Sequence, residues 1–176
     1  MKYLVAVDGS VGASEAFKKT CELAGKRKEQ SHVFVLTVVE EVSGSDVLDE
    51  DIAMFAADTL KRANLDLHSQ AEALLKQAAK LLNEREIKHS TILSVGPARD
   101  KILELAEELN IDVIVLGSRG LGTLGRILIG SVSEHIALNA PCSVLVVRHK
   151  IEEDERLKRN EEEIARLRSS SKTRAD

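Results

Sequence analysis

The chain has 176 residues, of which 43% are hydrophobic and 31% charged, and this composition suits one soluble globular domain with some chain left over. A formal net charge of −4 and an aromatic content of 2% argue against a nucleic-acid-binding protein, which usually presents a basic face and aromatic side chains for stacking. No apolar run approaches the roughly 20 residues needed to span a bilayer, and no signal-peptide pattern opens the sequence. With two cysteines and no disulfide framework, we expect a cytoplasmic protein without a membrane or nucleic-acid partner.

Short apolar runs alternate with amphipathic helical patterns along most of the chain. The runs predict strands over 3–7, 32–39, 88–95, 113–116 and 143–147. The helical patterns predict helices over about 12–28, 56–85, 98–109 and 134–139, with a loop over 40–52. Ser10 is the predicted N-cap of the first helix, and Pro97 suits the start of the third.

This order of elements predicts the fold class. Apolar strands that alternate with helices form a parallel sheet covered on both faces, and right-handed crossovers then favour a doubly wound, Rossmann-like α/β fold with five strands. Ligands of such folds bind beyond the carboxyl ends of the strands, where the winding direction reverses.

The chain after this pattern has a different composition. Of the 26 residues from 151 to 176, eight are acidic and seven are basic, and no strand pattern occurs. We therefore predict a domain over 1–150 followed by a charged C-terminal tail over 151–176. A disordered tail and a short helix that presents Leu157, Ile164 and Leu167 on one face both remain open.

The segment from Gly117 to Ser133 is rich in glycine and lies between a predicted strand and a predicted helix. Glycine lets the backbone approach a ligand without an intervening Cβ, and free amides at a helix N-terminus bind anions such as phosphate. We expect the amides of 130–133 to be free, the hydroxyls of Ser131 and Ser133 to add hydrogen bonds, and Arg119 and Arg126 to offset phosphate charge.

Two common phosphate-binding motifs do not describe this segment. It contains no GxxxxGK[ST] loop, and the turn after the first strand, Asp8-Gly9-Ser10, lacks GxGxxG. Its spacing is G-x2-G-x9-G-[ST], which resembles the nucleotide-binding motif of the universal stress protein family. The opening YLVAVDGS and the closing APCSVLVVR also resemble that family, with Ser143 standing where the family often has a second proline.

The resemblance implies a sheet order of 3-2-1-4-5, with the reversal between strands one and four, and ATP as ligand. AMP or another adenine nucleotide remains an alternative, and so does the presence of Mg²⁺ or Mn²⁺. By the same resemblance, Asp8 and the backbone at Val38 contact the adenine and ribose. The ribose and phosphates are expected at the positions that carry the glycine motif and the helix start, together with the nearby arginine: Gly117, Arg119, Gly120, Gly130, Ser131, Val132 and Ser133.

Three functions fit these residues. The first is a regulatory or stress-response module that binds ATP. The second is a slow ATPase, for which the sequence lacks a P-loop lysine and an evident residue to position water, so we assign no catalytic residue and expect at most weak hydrolysis. The third is an interaction protein that binds no nucleotide. The five histidines show no metal-ligand spacing, and we assign no metal ligand.

The fifth predicted strand, from Ser143 to Val147, would lie at one edge of the sheet. An apolar edge strand offers unpaired backbone groups to another chain. Members of the resembled family commonly dimerise through this strand, so we expect a homodimer.

Overall fold

The computed structural model describes residues 1–41, 50–118 and 129–148, with the backbone alone for 50–56. The strands are β1 (Lys2–Ala6), β2 (His32–Val39), β3 (His89–Val95), β4 (Val113–Gly117) and β5 (Ser143–Val147). The helices are α1 (Val11–Gly25), α2 (Glu50–Glu84), α3 (Ala98–Glu108) and α4 (Ser131–Asn139). A 3₁₀ turn, Lys28–Gln30, separates α1 from β2.

The five strands form one parallel sheet in the order β3-β2-β1-β4-β5. This order confirms the doubly wound fold and its predicted topology. The chain moves from β1 outward to β3, then returns to the other side of β1 to form β4 and β5. The winding direction therefore reverses between β1 and β4, and their carboxyl ends flank the crevice in which such folds bind ligands.

Two hydrophobic cores lie on opposite faces of the sheet. On one face, α1 and α2 bury side chains such as Phe17 and Leu82 against the strands. On the other face, α3 and α4 bury Ile102 and Ile136. Leu4 of β1 is fully buried, because helices cover both faces of the central strands.

Three helix boundaries differ from the sequence prediction by three residues or more. Helix α1 ends at Gly25 instead of residue 28, because the chain turns there and the amide of Arg27 bonds to the carbonyl of Ala24. Helix α2 begins at Glu50, inside the predicted loop of 40–52, of which 42–49 lie outside the described residues. Helix α4 begins at Ser131 instead of Glu134, because Gly130 is already its N-cap.

The predicted cap of α1 is confirmed. The Ser10 Oγ accepts a hydrogen bond from the amide of Ala13 at 3.1 Å, with Ser10 in extended backbone geometry. This bond satisfies one of the amides that the first turn of a helix leaves without an intrahelical partner. The cap fixes where α1 starts, just beyond the end of β1 and beside the crevice.

Candidate functional site

The turn after β1 brings Asp8 to the carboxyl edge of the sheet. The Asp8 side chain is exposed, and its Oδ1 accepts a hydrogen bond from the amide of Ser10 at 2.9 Å. Gly9 between them has a φ of +81°, a conformation that favours glycine. Asp8 thus stabilises the turn that leads from β1 into α1. Its exposed carboxylate lies beside the predicted crevice.

Gly117 ends β4 in close contact with the start of α1. A Cβ built on Gly117 would lie 2.4 Å from the carbonyl carbon of Gly12 and 2.7 Å from the amide nitrogen of Ala13. No real Cβ makes such contacts with backbone, so Gly117 is required for packing whether or not a ligand is bound. Glycine at this position lets α1 lie directly against β4.

Two hydrogen bonds join the end of β4 to the residues at the start of α4. The amide of Gly130 donates to the carbonyl of Ser118 at 2.7 Å, and the Ser133 Oγ donates to the carbonyl of Gly117 at 2.7 Å. The amide of Ser118 in turn donates to the carbonyl of Val147 at 2.8 Å. The two ends of the segment are therefore held together, and the start of α4 is attached to the end of β4.

These bonds correct two expectations about the anion site. The Gly130 amide is not free, because the carbonyl of Ser118 already accepts it. The hydroxyl of Ser133 is buried, and its proton is used by the carbonyl of Gly117. The sequence showed the polar groups and the glycines, but no local pattern indicated that they bond to each other.

The first turn of α4 has the features of an anion-binding helix terminus. Its N-cap is Gly130, so no side chain caps it, and its first three residues are Ser131, Val132 and Ser133. The amides of a first turn have no intrahelical acceptor and lie at the positive end of the helix dipole. Ser131 is exposed, and the exposed Glu134 adds a negative charge to the same turn.

The remaining predicted positions are only partly described. Val38 lies one residue before the end of β2, opposite Ser94 of β3, and is half-buried on the face that carries α3 and α4. Arg119 and Gly120 lie outside the described residues, and so does Arg126. The described structure therefore brings the ends of β1, β2 and β4 and the start of α4 to one edge of the sheet.

Two acidic residues at the same edge were not singled out from the sequence. The Glu40 Oε1 accepts a hydrogen bond from the amide of Ala98, at the start of α3, at 2.9 Å. The Glu41 Oε1 lies 2.9 Å from the His68 Nε2 of α2. Both glutamates follow β2 directly, and they connect the end of that strand to the helices on the two faces of the sheet.

Three other observations on the described ranges concern a metal site, a membrane-spanning helix and a reactive cysteine. They contain no cluster of three or more His, Cys, Asp or Glu side chains able to hold a metal ion. No helix among them is long and apolar enough to cross a membrane. Burial raises the pKa of both Cys21 and Cys142 above the ordinary value of 9.0, which favours their protonated, unreactive form.

Comparison with known proteins identifies the family. The protein-family model described as Universal stress protein family matches residues 1–148. The chain belongs to the universal stress protein family. The match ends at the end of the described part of the chain, so the family resemblance seen in the sequence is confirmed over the same region.

Individual members of the family show the same relationship. A universal stress protein of Methanocaldococcus jannaschii is 30% identical over 147 residues, which cover 84% of this chain and 81% of that protein. The structure of the universal stress protein UspA from Lactobacillus plantarum matches 84% of this chain and 97% of that one, with 25% identity and a TM-score of 0.72. A universal stress protein solved in complex with cAMP matches 86% of this chain and 98% of that one, with 25% identity and a TM-score of 0.60.

Proposed function

We propose that this universal stress protein binds an adenine nucleotide in the crevice between β1 and β4 and acts as a nucleotide-dependent regulatory module. The first turn of α4 carries the proposal: its N-cap is a glycine, no side chain caps it, and it lies beside the end of β4. A helix terminus of this kind binds phosphate through backbone amides and the helix dipole. The solved relative that contains cAMP supports an adenine nucleotide as the ligand.

The described geometry refines the part that each residue plays in this proposal. Asp8 and the backbone at Val38 take the adenine and ribose. The amides of Ser131, Val132 and Ser133 take the phosphates, with the exposed Ser131 hydroxyl as a further donor. Ser133 contributes its amide and not its hydroxyl, whose proton the carbonyl of Gly117 accepts.

The glycines of the motif have two kinds of role in the proposal. Gly117 serves the contact between β4 and α1, and Gly130 leaves the helix terminus without a capping side chain. Gly120 gives the phosphates close access to the backbone, and Arg119 offsets their charge. ATP, with Mg²⁺ or Mn²⁺ at its phosphates, is the proposed ligand, and AMP and cAMP are the alternatives.

Calorimetric titration with ATP, AMP and cAMP tests the ligand. We expect measurable affinity for at least one of them and a preference that reports how many phosphates the site holds. Absence of heat with all three, in a folded sample, would instead favour a member of the family that acts through protein contacts. Phosphate release in the presence of ATP and Mg²⁺ separates binding from hydrolysis, and we expect little release.

A pair of Gly130 variants tests the site itself. The φ of Gly130 is −74°, so other residues can adopt its backbone conformation. Asp and Asn are both good N-caps, and relative to glycine either can stabilise α4 by about a few tenths of a kcal/mol through a bond to a first-turn amide. Only Gly130→Asp also places a negative charge where the phosphate would lie.

We therefore expect Gly130→Asp to abolish ATP binding while the melting temperature stays equal or rises. Gly130→Asn has nearly the same shape and weakens binding less, because it blocks an amide without adding charge. Equal ATP affinity in wild-type protein and both variants would show that this helix terminus holds no phosphate.

We also propose a cytoplasmic location and a homodimer formed through β5. Family membership supports both proposals, and the position of β5 at one edge of the sheet supports the second. Neither is needed for nucleotide binding.

A further inference from the structure

Strand β2 continues beyond its neighbour β1 at the carboxyl edge of the sheet. The register between the two strands ends where Ala6 pairs with Leu36, and the amide of Val7 then donates to the carbonyl of Leu36 at 2.8 Å. On its other side, β2 pairs with β3 as far as Val39, which lies opposite Val95. The last residues of β2 therefore have a neighbouring strand on only one side within the described part of the sheet.

The backbone of Val38 faces this open side of β2. Successive residues of a strand in a parallel sheet direct their backbone groups to alternate neighbours, and the carbonyl of Leu36 bonds to β1. Val38, two residues later, faces the same way, whereas the carbonyl of Val39 accepts the amide of Gly96 at 3.0 Å on the β3 side. The amide and carbonyl of Val38 are thus directed to the crevice that opens where β1 turns away.

A carboxylate holds this strand end on the face that carries α3. The Glu40 Oε1 accepts the amide of Ala98 at 2.9 Å, across 58 residues of sequence. The N-cap residue of α3 is Pro97, which makes no side-chain cap bond, so Glu40 supplies the cap from the end of β2. A charged acceptor at the positive end of a helix dipole makes one of the stronger hydrogen bonds in proteins.

A second carboxylate holds the strand end on the face that carries α2. The Glu41 Oε1 lies 2.9 Å from the His68 Nε2, with side chains that are 47% and 31% exposed. Leu74 of the same helix lies 3.6 Å from the position of a Cβ on Gly9, so α2 also touches the turn at which β1 ends. Because the pair of Glu41 and His68 is partly exposed, we expect it to contribute less than the bond of Glu40.

We infer that Glu40 and Glu41 are positioning residues of the nucleotide site, which hold the open end of β2 so that the backbone of Val38 stays in place for the base. This inference rests on the proposed function. Both carboxylates would repel the phosphates of a bound nucleotide. Charge alone therefore predicts that removing either one strengthens ATP binding, whereas positioning predicts that it weakens ATP binding.

Calorimetric titration with ATP and with inorganic tripolyphosphate tests the role of Glu40. We expect Glu40→Ala to weaken ATP binding about three- to tenfold and to leave tripolyphosphate binding unchanged, since tripolyphosphate has no base. Glu40→Gln keeps an oxygen acceptor for the amide of Ala98 and should restore most of the ATP affinity. The matched control is Asp100→Ala, which removes the same charge from the first turn of α3, where Asp100 pairs with Arg99, and should not weaken ATP binding.

A double-mutant cycle tests the contact between Glu41 and His68. Glu41→Ala and His68→Ala should each weaken ATP binding about two- to fivefold, and the double variant no further, because all three break the same contact. Amide exchange over 36–41 should accelerate in these variants, while peptides from 113–117 in β4 report whether the sheet stays folded.

The outcomes separate this inference from the proposed function. A wild-type protein that binds no adenine nucleotide would overturn both. ATP binding that Glu40→Ala and the Glu41, His68 double variant leave unchanged or strengthen would overturn the inference alone. An equal loss of affinity for ATP and tripolyphosphate would overturn it as well, because the variants would then act on the phosphate side of the site.

Discussion

Gly117 lies against the backbone of Gly12, close enough that a Cβ on Gly117 would be 2.4 Å from the Gly12 carbonyl carbon. The contact joins the end of β4 to the first turn of α1, on the two sides of the candidate site. Backbone atoms cannot rotate away as a flexible side chain can, so even one added methyl group must move the helix.

Gly117→Ala is therefore expected to lower the free energy of unfolding by about 1–3 kcal/mol, the usual cost of overpacking a closely packed site. Urea unfolding of both proteins measures this difference. Gly25→Ala is the matched control, because a Cβ there meets nothing within 4 Å and the residue lies in the last turn of α1. The control should be neutral or stabilising by up to about 1 kcal/mol, and equal stability of both variants would contradict the packing role.

Substitutions of the two serines at the start of α4 are expected to affect different properties, Ser133→Ala the stability of the fold and Ser131→Ala the affinity for ATP. Ser133→Ala removes the hydrogen bond to the carbonyl of Gly117 and should cost about 1–2 kcal/mol of stability. Ser131 is exposed, so Ser131→Ala should change stability by less than about 0.5 kcal/mol while weakening ATP binding several-fold. Urea unfolding and calorimetric titration of the two variants measure both quantities. A loss of stability in the Ser131 variant alone would reverse these assignments.

The edge strands offer a direct test of the proposed homodimer. Val146 lies near the carboxyl end of β5, and Val95 ends β3 at the opposite edge of the sheet. A lysine on an edge strand discourages pairing with another chain. We expect light scattering to show a dimer for wild type and for Val95→Lys, and a monomer for Val146→Lys. A monomeric wild type, or a dimer that only Val95→Lys disrupts, would exclude pairing through β5.

His32 is expected to make stability depend on pH. Burial, together with the positive charges of Lys88, His89 and Lys2, lowers the pKa of His32 below its ordinary value of 6.5. The unfolded chain then binds this proton more readily than the folded chain. The stability contributed by the neutral ring is complete above pH 6.5 and is lost as the pH falls through the folded-state pKa.

His32→Phe should reduce this loss, because phenylalanine does not bind a proton. Its ring can also keep the stacked contact with Phe34, whose centroid lies 4.3 Å from that of His32. Urea unfolding at pH 8 and at pH 5 measures the effect in both proteins. An identical fall in stability between the two pH values would assign the pH dependence to other groups.

Local patterns in the sequence predicted much of the fold. The limits of β2 and β5 agree with the structure because each is an apolar run bounded by polar or turn-forming residues. The role of Ser10 as N-cap was predictable for the same reason, since the cap bond joins residues only three positions apart. The sheet order followed from family resemblance, and the structure confirms it.

Contacts between distant parts of the chain decided the rest. Residues 12 and 117 meet because β1 and β4 are neighbours in the sheet, and the carbonyl of Ser118 accepts the amide of Gly130 because the start of α4 returns to the end of β4. No periodicity or composition within a short window carries that information. The sequence by itself thus determined the elements, the family and the positions of the glycine motif. Only the tertiary structure decided which of those glycines and serines are committed to packing and which remain available to a ligand, because close approach and hydrogen bonding depend on the folded backbone.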